Sequence, residues 1–227
     1  MTINVIATGS SGNLYEIIDN EGNSMLIEAG VPVATYMKYR EGKKKPEMCI
    51  ISHSHSDHYA HANEFRNMMP TYCKEARVQS ENFKAMGFTM VHGDGISYSY
   101  LIKVLTEDKF LFFGTDFEYS GDYEILFDYL KSYNVSNYLI ECNYNDFLYH
   151  LAKDEQRMGC DRHMSDNDVI RFIRKVQPEN PKLILIHGSS RLCNDSYTKK
   201  YIGSKLLTAT VAVATGAKSG QKNLFKL

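Results

Sequence analysis

The densest chemistry in the chain is the string His53-Ser54-His55-Ser56-Asp57-His58, which follows directly on the apolar run at residues 48–52. Imidazole and carboxylate are the donors that borderline and hard divalent cations accept, and four of them lie within six residues. In an extended turn alternate side chains share a side, which lets His53 and His55 hold one ion. Asp57 and His58, where the chain bends into a helix, can reach a second. A single histidine after an apolar strand is ordinarily a packed or surface residue. Four candidate ligands at this spacing imply a metal centre.

The string resembles the HxHxDH signature of the metallo-β-lactamase fold hydrolases. That resemblance implies further ligands: a third histidine on a later strand, an aspartate at a strand end and a last histidine at another strand end. The matching positions are His92 in Val91-His92-Gly93-Asp94, Asp116 in Phe113-Gly114-Thr115-Asp116, and His187 in Leu185-Ile186-His187-Gly188. By the family pattern His53, His55 and His92 hold one metal, Asp57, His58 and His187 hold a second, and Asp116 bridges them. A carboxylate that ends so apolar a run as residues 110–114 also needs a counter-charge in its own right.

The opening Gly9-Ser10-Ser11-Gly12-Asn13 is similar to the start of the YycJ-like branch, as are Ile140-Glu141-Cys142-Asn143, His163-Met164-Ser165-Asp166-Asn167 and the ending Val213-Ala214-Thr215-Gly216. Ribonuclease Z is the more distant likeness. Its His-Ser/Thr element matches His163, which by that likeness protonates a leaving oxygen or contacts the phosphate. Ser165, Asp166 and Asn167 are helix-capping types, so a helix is expected to open here with its N-terminus toward an anion. Ser189 and Arg191, just past His187, are candidate phosphate contacts. The chain departs from the family at Glu28, where an aspartate often supports a ligand histidine. The longer carboxylate can still reach an imidazole N–H.

The elements that must position these residues are legible in outline. Strands are expected at residues 3–8, 13–18 and 24–29, separated by turn-forming Gly9-Ser10-Ser11-Gly12 and residues 19–23. A short helix is expected over 33–39, then a solvated loop at the lysine run 43–45, then a buried strand over 48–52. Helices are expected over 60–68 and 75–86 around a small strand near Tyr72. Strands follow at 88–92, 97–104 and 109–114. Helix and strand then alternate: helix 122–131, strand 138–141, helix 165–176, strand 182–187, helix 194–202, and strands at 208–214 and 224–225. Strand-rich halves interleaved with helices imply an α/β (α+β) architecture of four layers, αββα, in one domain spanning residues 1–227. That is the sandwich the resemblance implies.

The 227 residues are 43% apolar, with 26 basic and 27 acidic side chains, enough for a sizeable core and unlike a disordered or polybasic chain. No apolar run approaches the roughly 20 residues that cross a bilayer. No charged, then apolar leader opens the sequence. Five cysteines without a CxxC pair argue against a disulfide framework. Together these features lead to the expectation of a cytoplasmic protein without a membrane partner. Charge is uneven, with six lysines and no acid from Lys199 onward, an edge that either attracts a nucleic-acid backbone or keeps terminal strands soluble. Tyr98, Tyr100, Tyr119, Tyr123 and Tyr144 are either base-stacking or half-buried strand positions.

The expected protein is therefore a binuclear metal-dependent hydrolase. It is expected to act as a phosphodiesterase on cyclic nucleotides or nucleic acid, through a metal-activated hydroxide with Asp57, Asp116 and His163 in the chemistry. Zinc is the first choice for a histidine-dominated set, with Mn²⁺ or Fe²⁺ as alternatives. Hydrolysis of an ester, lactone or thioester on the same fold is the competing reading. A homodimer is implied only by analogy with ribonuclease Z.

Overall fold

The computed structural model describes residues 1–42, 44–119, 122–216 and 223–227. Lys43 of the lysine run, and Lys218 and Lys222 of the basic C-terminal stretch, lie outside the described residues.

In chain order the elements are β1 (Thr2–Ala7), β2 (Leu14–Ile18), β3 (Ser24–Ile27), α1 (Val33–Tyr39), β4 (Cys49–Ile51), α2 (Ser56–Tyr59), α3 (Ala62–Arg66), β5 (Thr71–Cys73) and β6 (Arg77–Gln79). Then come β7 (Phe83–His92), β8 (Gly95–Val104), β9 (Lys109–Gly114), α4 (Glu124–Ser132), β10 (Asn137–Glu141), α5 (Asp146–Leu151) and α6 (Asp154–Arg157). A 3₁₀ turn (Cys160–Arg162), α7 (Asp166–Val176), β11 (Lys182–Ile186), α8 (Asp195–Lys205), β12 (Thr210–Val213) and β13 (Leu224–Lys226) complete the described chain. A six-stranded sheet has the order β13-β1-β2-β3-β4-β5, and a seven-stranded sheet the order β12-β11-β10-β9-β8-β7-β6. The α/β class expected from the sequence is the one observed. No helix among the described residues is long and apolar enough to cross a membrane.

The chain divides into two compact units, Met1–Gly87 with Ile102–Lys109 and Ala214–Leu227, and Phe88–Leu101 with Phe110–Val213. In the first, β1 and β2 pair antiparallel, as do β2 and β3, whereas β3, β4 and β5 run parallel. Its core gathers Ile6, Leu14, Leu26, Tyr36, Cys49, Ile51 and Phe65. Such short strands hold because every residue of β2, β3 and β4 is buried, so apolar area compensates for few ladder bonds.

The second unit is built on the parallel run β9-β10-β11-β12. Its strands read as continuous apolar runs, Leu111-Phe112-Phe113 and Leu183-Ile184-Leu185-Ile186, as parallel strands covered on both faces do. Helix α7 buries Val169, Ile170, Phe172, Ile173 and Val176. Phe172 packs on Phe112 and Phe127 with ring centroids 5.2 and 5.3 Å apart.

One expected helix is overturned. Residues 75–86 form β6 and the start of β7, paired antiparallel as Arg77↔Met86, Val78↔Ala85 and Gln79↔Lys84. Lys, Ala and Met are good helix formers, but tertiary context overrides such propensity. The hairpin pairing prevails because it buries Val78, Phe83 and Ala85 on one side. The helix expected over 60–68 is present as the shorter α3, and the short α2 precedes it. Helices α5 and α6 and the 3₁₀ turn fill a stretch for which no element was expected. Tyr144, Cys160 and Leu192 anchor it, with Leu148 and Tyr149 packed against them.

Candidate metal centre

In the first unit the histidine string begins where β3 and β4 end side by side, since Leu26 pairs with Cys49 and Ile27 with Ile50. Ser52, directly after β4, donates its backbone N–H to both Glu28 carboxylate oxygens, at 3.4 and 3.3 Å. His53 is buried, with Nδ1 2.9 Å from the Ser52 hydroxyl. Its ring centroid lies 4.4 Å from that of His55 and 4.5 Å from that of His58. His55 precedes α2, whose first turn carries Asp57 and the fully buried His58. His58 has Nδ1 3.3 Å from Glu28 Oε1, and Nε2 3.2 Å from Asp57 Oδ2. Glu28 therefore stands within ion-pair range of a histidine of the string, the extra methylene notwithstanding.

Asn13 joins this set from the Gly-Ser-Ser-Gly-Asn turn. Its N–H donates to the Asp57 carbonyl at 2.8 Å, and its Nδ2 lies 3.3 Å from His58 Nε2. Its Oδ1 accepts from Gly9 N–H and from the Tyr15 hydroxyl, at 2.9 and 3.0 Å. Gly30 N–H donates to the Asn13 carbonyl, and Ala29 N–H to the His58 carbonyl. A Cβ on Gly30 would lie 1.8 Å from the Asp57 carbonyl oxygen, so three backbone segments close on one another here through the absence of a side chain.

In the second unit parallel strands end at a common edge. Ile140 lies opposite Gly114 on one side and Leu185 on the other, so β9, β10 and β11 deliver Asp116, Glu141 and His187 to neighbouring positions. This is the edge at which parallel sheets place ligands. The Asp116 carboxylate stands between two imidazoles, with Oδ2 3.5 Å from His92 Nε2 and Oδ1 3.5 Å from His187 Nε2. The His92 Nδ1–H donates to the Arg162 carbonyl at 2.9 Å, which fixes the tautomer and leaves the Nε2 lone pair toward Asp116. Burial holds the His92 imidazole below its usual pKa, and the neighbouring Asp116 only partly opposes this. Asn143 Nδ2 donates to the His187 carbonyl at 3.0 Å and lies 3.3 Å from its Nδ1.

His163 belongs to the same cluster. Ligand-type atoms of Asp116, Glu141, His163 and His187 all lie within 4.8 Å of one another. The His163 ring stacks on that of His187, with centroids 5.5 Å apart and planes at 20°, and meets His92 edge-on at 5.2 Å. Its Nδ1 is 3.1 Å from Glu141 Oε2, while Glu141 Oε1 accepts from Phe117 N–H at 3.0 Å and Met164 N–H at 3.1 Å. Burial lowers the His163 pKa, but the Glu141 charge and hydrogen bond outweigh it and the net shift is upward.

Backbone geometry is unusual at three of these residues. Glu28, Asp116 and His187 take φ of 68°, 53° and 56°, the left-handed region that glycine ordinarily fills. Each stands at or just beyond a strand end, where the chain must turn sharply to aim a side chain.

Ser165 caps α7 as its type implies, accepting from Asp168 N–H, while Ser165 N–H and Oγ–H both meet the Asp168 carboxylate. With Asp166 and Asp168 in that first turn, this helix end already holds its anions. Ser189 Oγ accepts from Arg191 and Leu192 N–H in its own turn, and the Arg191 side chain is exposed. Tyr100 and Tyr144 are buried, and Tyr98, Tyr119 and Tyr123 half-buried, as core and strand tyrosines are. Glu141, Asn13 and Asn143 were not singled out for these roles by the sequence. All three did stand inside the quoted motifs, which was the available signal.

The donor chemistry in each unit suits a divalent cation of the zinc, manganese or iron type: imidazole nitrogens with their outer positions engaged, next to carboxylates. The fold is that of the metallo-β-lactamase proteins. The chain is similar to the metallo-β-lactamase fold protein YhfI from Bacillus subtilis, with TM-score 0.73 and 14% identity, covering 99% of each chain. It is similar to a diphosphatase of the PhnP family, with TM-score 0.67 and 14% identity, covering 99% of this chain and 96% of that one. It is also similar to the short form of human tRNase Z, with TM-score 0.66 and 13% identity, covering 100% of this chain and 99% of that one. No protein-family model matches the sequence. No curated protein matches it either.

Proposed function

We propose that the protein is a binuclear metal-dependent phosphodiesterase. His53, His55 and His92 would hold one divalent ion, Asp57, His58 and His187 the other, and Asp116 would serve both. When bound, two such ions supply a nucleophilic water at neutral pH and neutralise charge on the phosphoryl oxygens. Zn²⁺ is the ion this donor set favours, with Mn²⁺ or Fe²⁺ the alternatives.

The chain's own part is positioning and proton delivery. Glu28 and Asn13 orient His58, the Arg162 carbonyl orients His92, and Asn143 holds the His187 backbone. Glu141 holds His163 by Nδ1, which leaves Nε2 as the atom from which a proton can pass to a departing alkoxide. Glu141–His163 is the observation that carries the proposal, because acyl hydrolysis has less need of such an acid. The substrate is a phosphodiester, either a cyclic nucleotide or a nucleic acid, and a steep fall of binding with salt marks the polymer. A diphosphatase and a tRNase Z among the structural neighbours support phosphoryl chemistry.

The test uses His163→Ala on two substrates. Metal content should stay at that of the parent. The kcat should fall roughly 10²–10⁴-fold on a phosphodiester with an alkoxide leaving group. It should fall far less on bis(p-nitrophenyl) phosphate, whose leaving group needs no proton. Equal losses on both would make His163 a phosphate-binding group. No loss on either, together with good lactone turnover, would replace the proposal by an acyl hydrolase.

A further inference from the structure

Glu141 and His163 stand beside the proposed ligand set without belonging to it. With Asp116 and His187 they lie in the second unit. Glu141 ends β10 and is fully buried, and His163 follows the 3₁₀ turn with its side chain 13% exposed. Backbone contacts pin both segments. Met164 N–H meets Glu141 Oε1 at 3.1 Å, His163 N–H donates to the Cys160 carbonyl at 2.9 Å, and Asn143 N–H to the Met164 carbonyl at 2.9 Å.

The spacing suits donors around one ion. Ligands about 2.1 Å from a metal at octahedral or tetrahedral angles lie roughly 3.0–3.4 Å apart, and opposite ligands roughly 4.2 Å. His163 Nδ1 is 3.1 Å from Glu141 Oε2. A hydrogen bond alone gives that distance; a second carboxylate within reach makes a cation site. Ligand-type atoms of Asp116, Glu141, His163 and His187 all lie within 4.8 Å of one another, so small side-chain rotations bring them onto a common ion. Asp116 and Glu141 are buried at this separation, and their mutual repulsion favours a doubly charged partner over a single imidazolium.

We infer that Glu141 and His163, with an Asp116 oxygen, form an inhibitory site for a divalent ion beyond those of the proposed centre. The inference rests on the binuclear reading and concerns the regulation of that same site. His187 is committed to the centre, so the further ion has three protein donors against four for each ion there. It is therefore the weakest held of the three and binds only when metal is in excess. The proton that joins Nδ1 to Oε2 leaves to solvent as the ion binds. With an ion on Nδ1 the ring keeps a hydrogen on Nε2 but no longer gives it up as an imidazolium does. Metal that activates the enzyme at low level silences it at high level.

The full-length protein, stripped of metal and reloaded, is dialysed to equilibrium against Zn²⁺ and its bound zinc counted. At two equivalents the parent, His163→Ala and Glu141→Gln should hold the same amount. In excess the parent should hold one ion more per chain than either variant. Glutamine keeps an oxygen for the Phe117 and Met164 N–H groups, so the second variant guards against a loss of fold. Over the same range the parent's kcat on a phosphodiester with an alkoxide leaving group should fall toward that of His163→Ala, roughly 10²–10⁴-fold. It should fall far less on bis(p-nitrophenyl) phosphate. Equal zinc uptake in excess by the parent and either variant would overturn the inference, as would equal inhibition on both substrates. The binuclear reading is tested separately, by the zinc that His163→Ala retains. Fewer than two ions there would count against that reading, while the difference between parent and variant still decides the inhibitory site.

Discussion

The two units assemble their donors in opposite ways. In the first, His53, His55, Asp57 and His58 come from six consecutive residues. Their aim depends on a backbone clasp among the Gly9–Asn13 turn, Gly30 and Asp57. In the second, His92, Asp116, Glu141 and His187 come from four separate strand ends, the last three aimed by the parallel register of β9, β10 and β11. A local string is cheap in sequence but leans on one crowded junction, whereas distributed donors lean on a whole sheet. Substitutions in the two units should therefore fail differently.

The largest effect is expected at Asp116, which lies between His92 and His187. Asp116→Ala should lower kcat/KM on the order of 10³-fold or more, the scale of removing a preorganised charged group. Elemental analysis should find metal content falling from two per chain, while the metal-free fold melts close to the parent. Full metal content in this variant, or a saturated parent with one ion or none, would break the binuclear assignment.

Gly30→Ala tests the other region. The new methyl group would lie 1.8 Å from the Asp57 carbonyl oxygen and 2.7 Å from Asn13 N. Overpacking of this kind should cost about 3 kcal/mol of stability, read in denaturant titration. Activity should then fall together with the folded fraction rather than ahead of it. A Gly30→Ala protein as stable as the parent would show that the clasp does not hold the string.

The smallest effect sharpens the comparison with a carboxylate remote from any imidazole. Asp19, at the β2–β3 turn, accepts from Glu21 N–H, Asn23 N–H, Asn23 Nδ2 and the Thr106 hydroxyl. Burial pushes its pKa up, but these donors outweigh burial and hold it below the usual 3.8. A depressed folded pKa means stability that is complete above the unfolded pKa and lost as pH falls through the folded one. Asp19→Asn should therefore cost about 2 kcal/mol at neutral pH. The difference from the parent should close in acid below about pH 4. A gap that does not change with pH would assign the effect to packing.

What could be read in advance follows the same divide. The string from His53 to His58 is legible because its donors are consecutive, and Glu28 because it sits in a familiar place. His92, Asp116 and His187 were reachable only through the family resemblance, since nothing local in Val91-His92-Gly93 marks a ligand. The grip of Glu141 on His163 spans 22 residues and depends on strand register, which composition does not report. The hairpin at residues 77–86 is local but was hidden because its Lys, Ala and Met residues are helix formers. Its residues favour strand only once Val78 and Ala85 face a partner. Most of the helices show in sequence because caps and periodicity are local, as Ser165 and α7 illustrate.

The left-handed backbone at Glu28, Asp116 and His187 sets stability and chemistry against each other. A residue with a Cβ in that region costs on the order of 1–2 kcal/mol relative to glycine. Glycine at any of the three would relax the turn and, at the same stroke, delete a carboxylate or imidazole on which the proposed metal centre rests. Selection of this protein for heat resistance alone would favour substitutions at these strand ends that silence it. A thermostable but inactive variant would in that sense be the expected product of such a search.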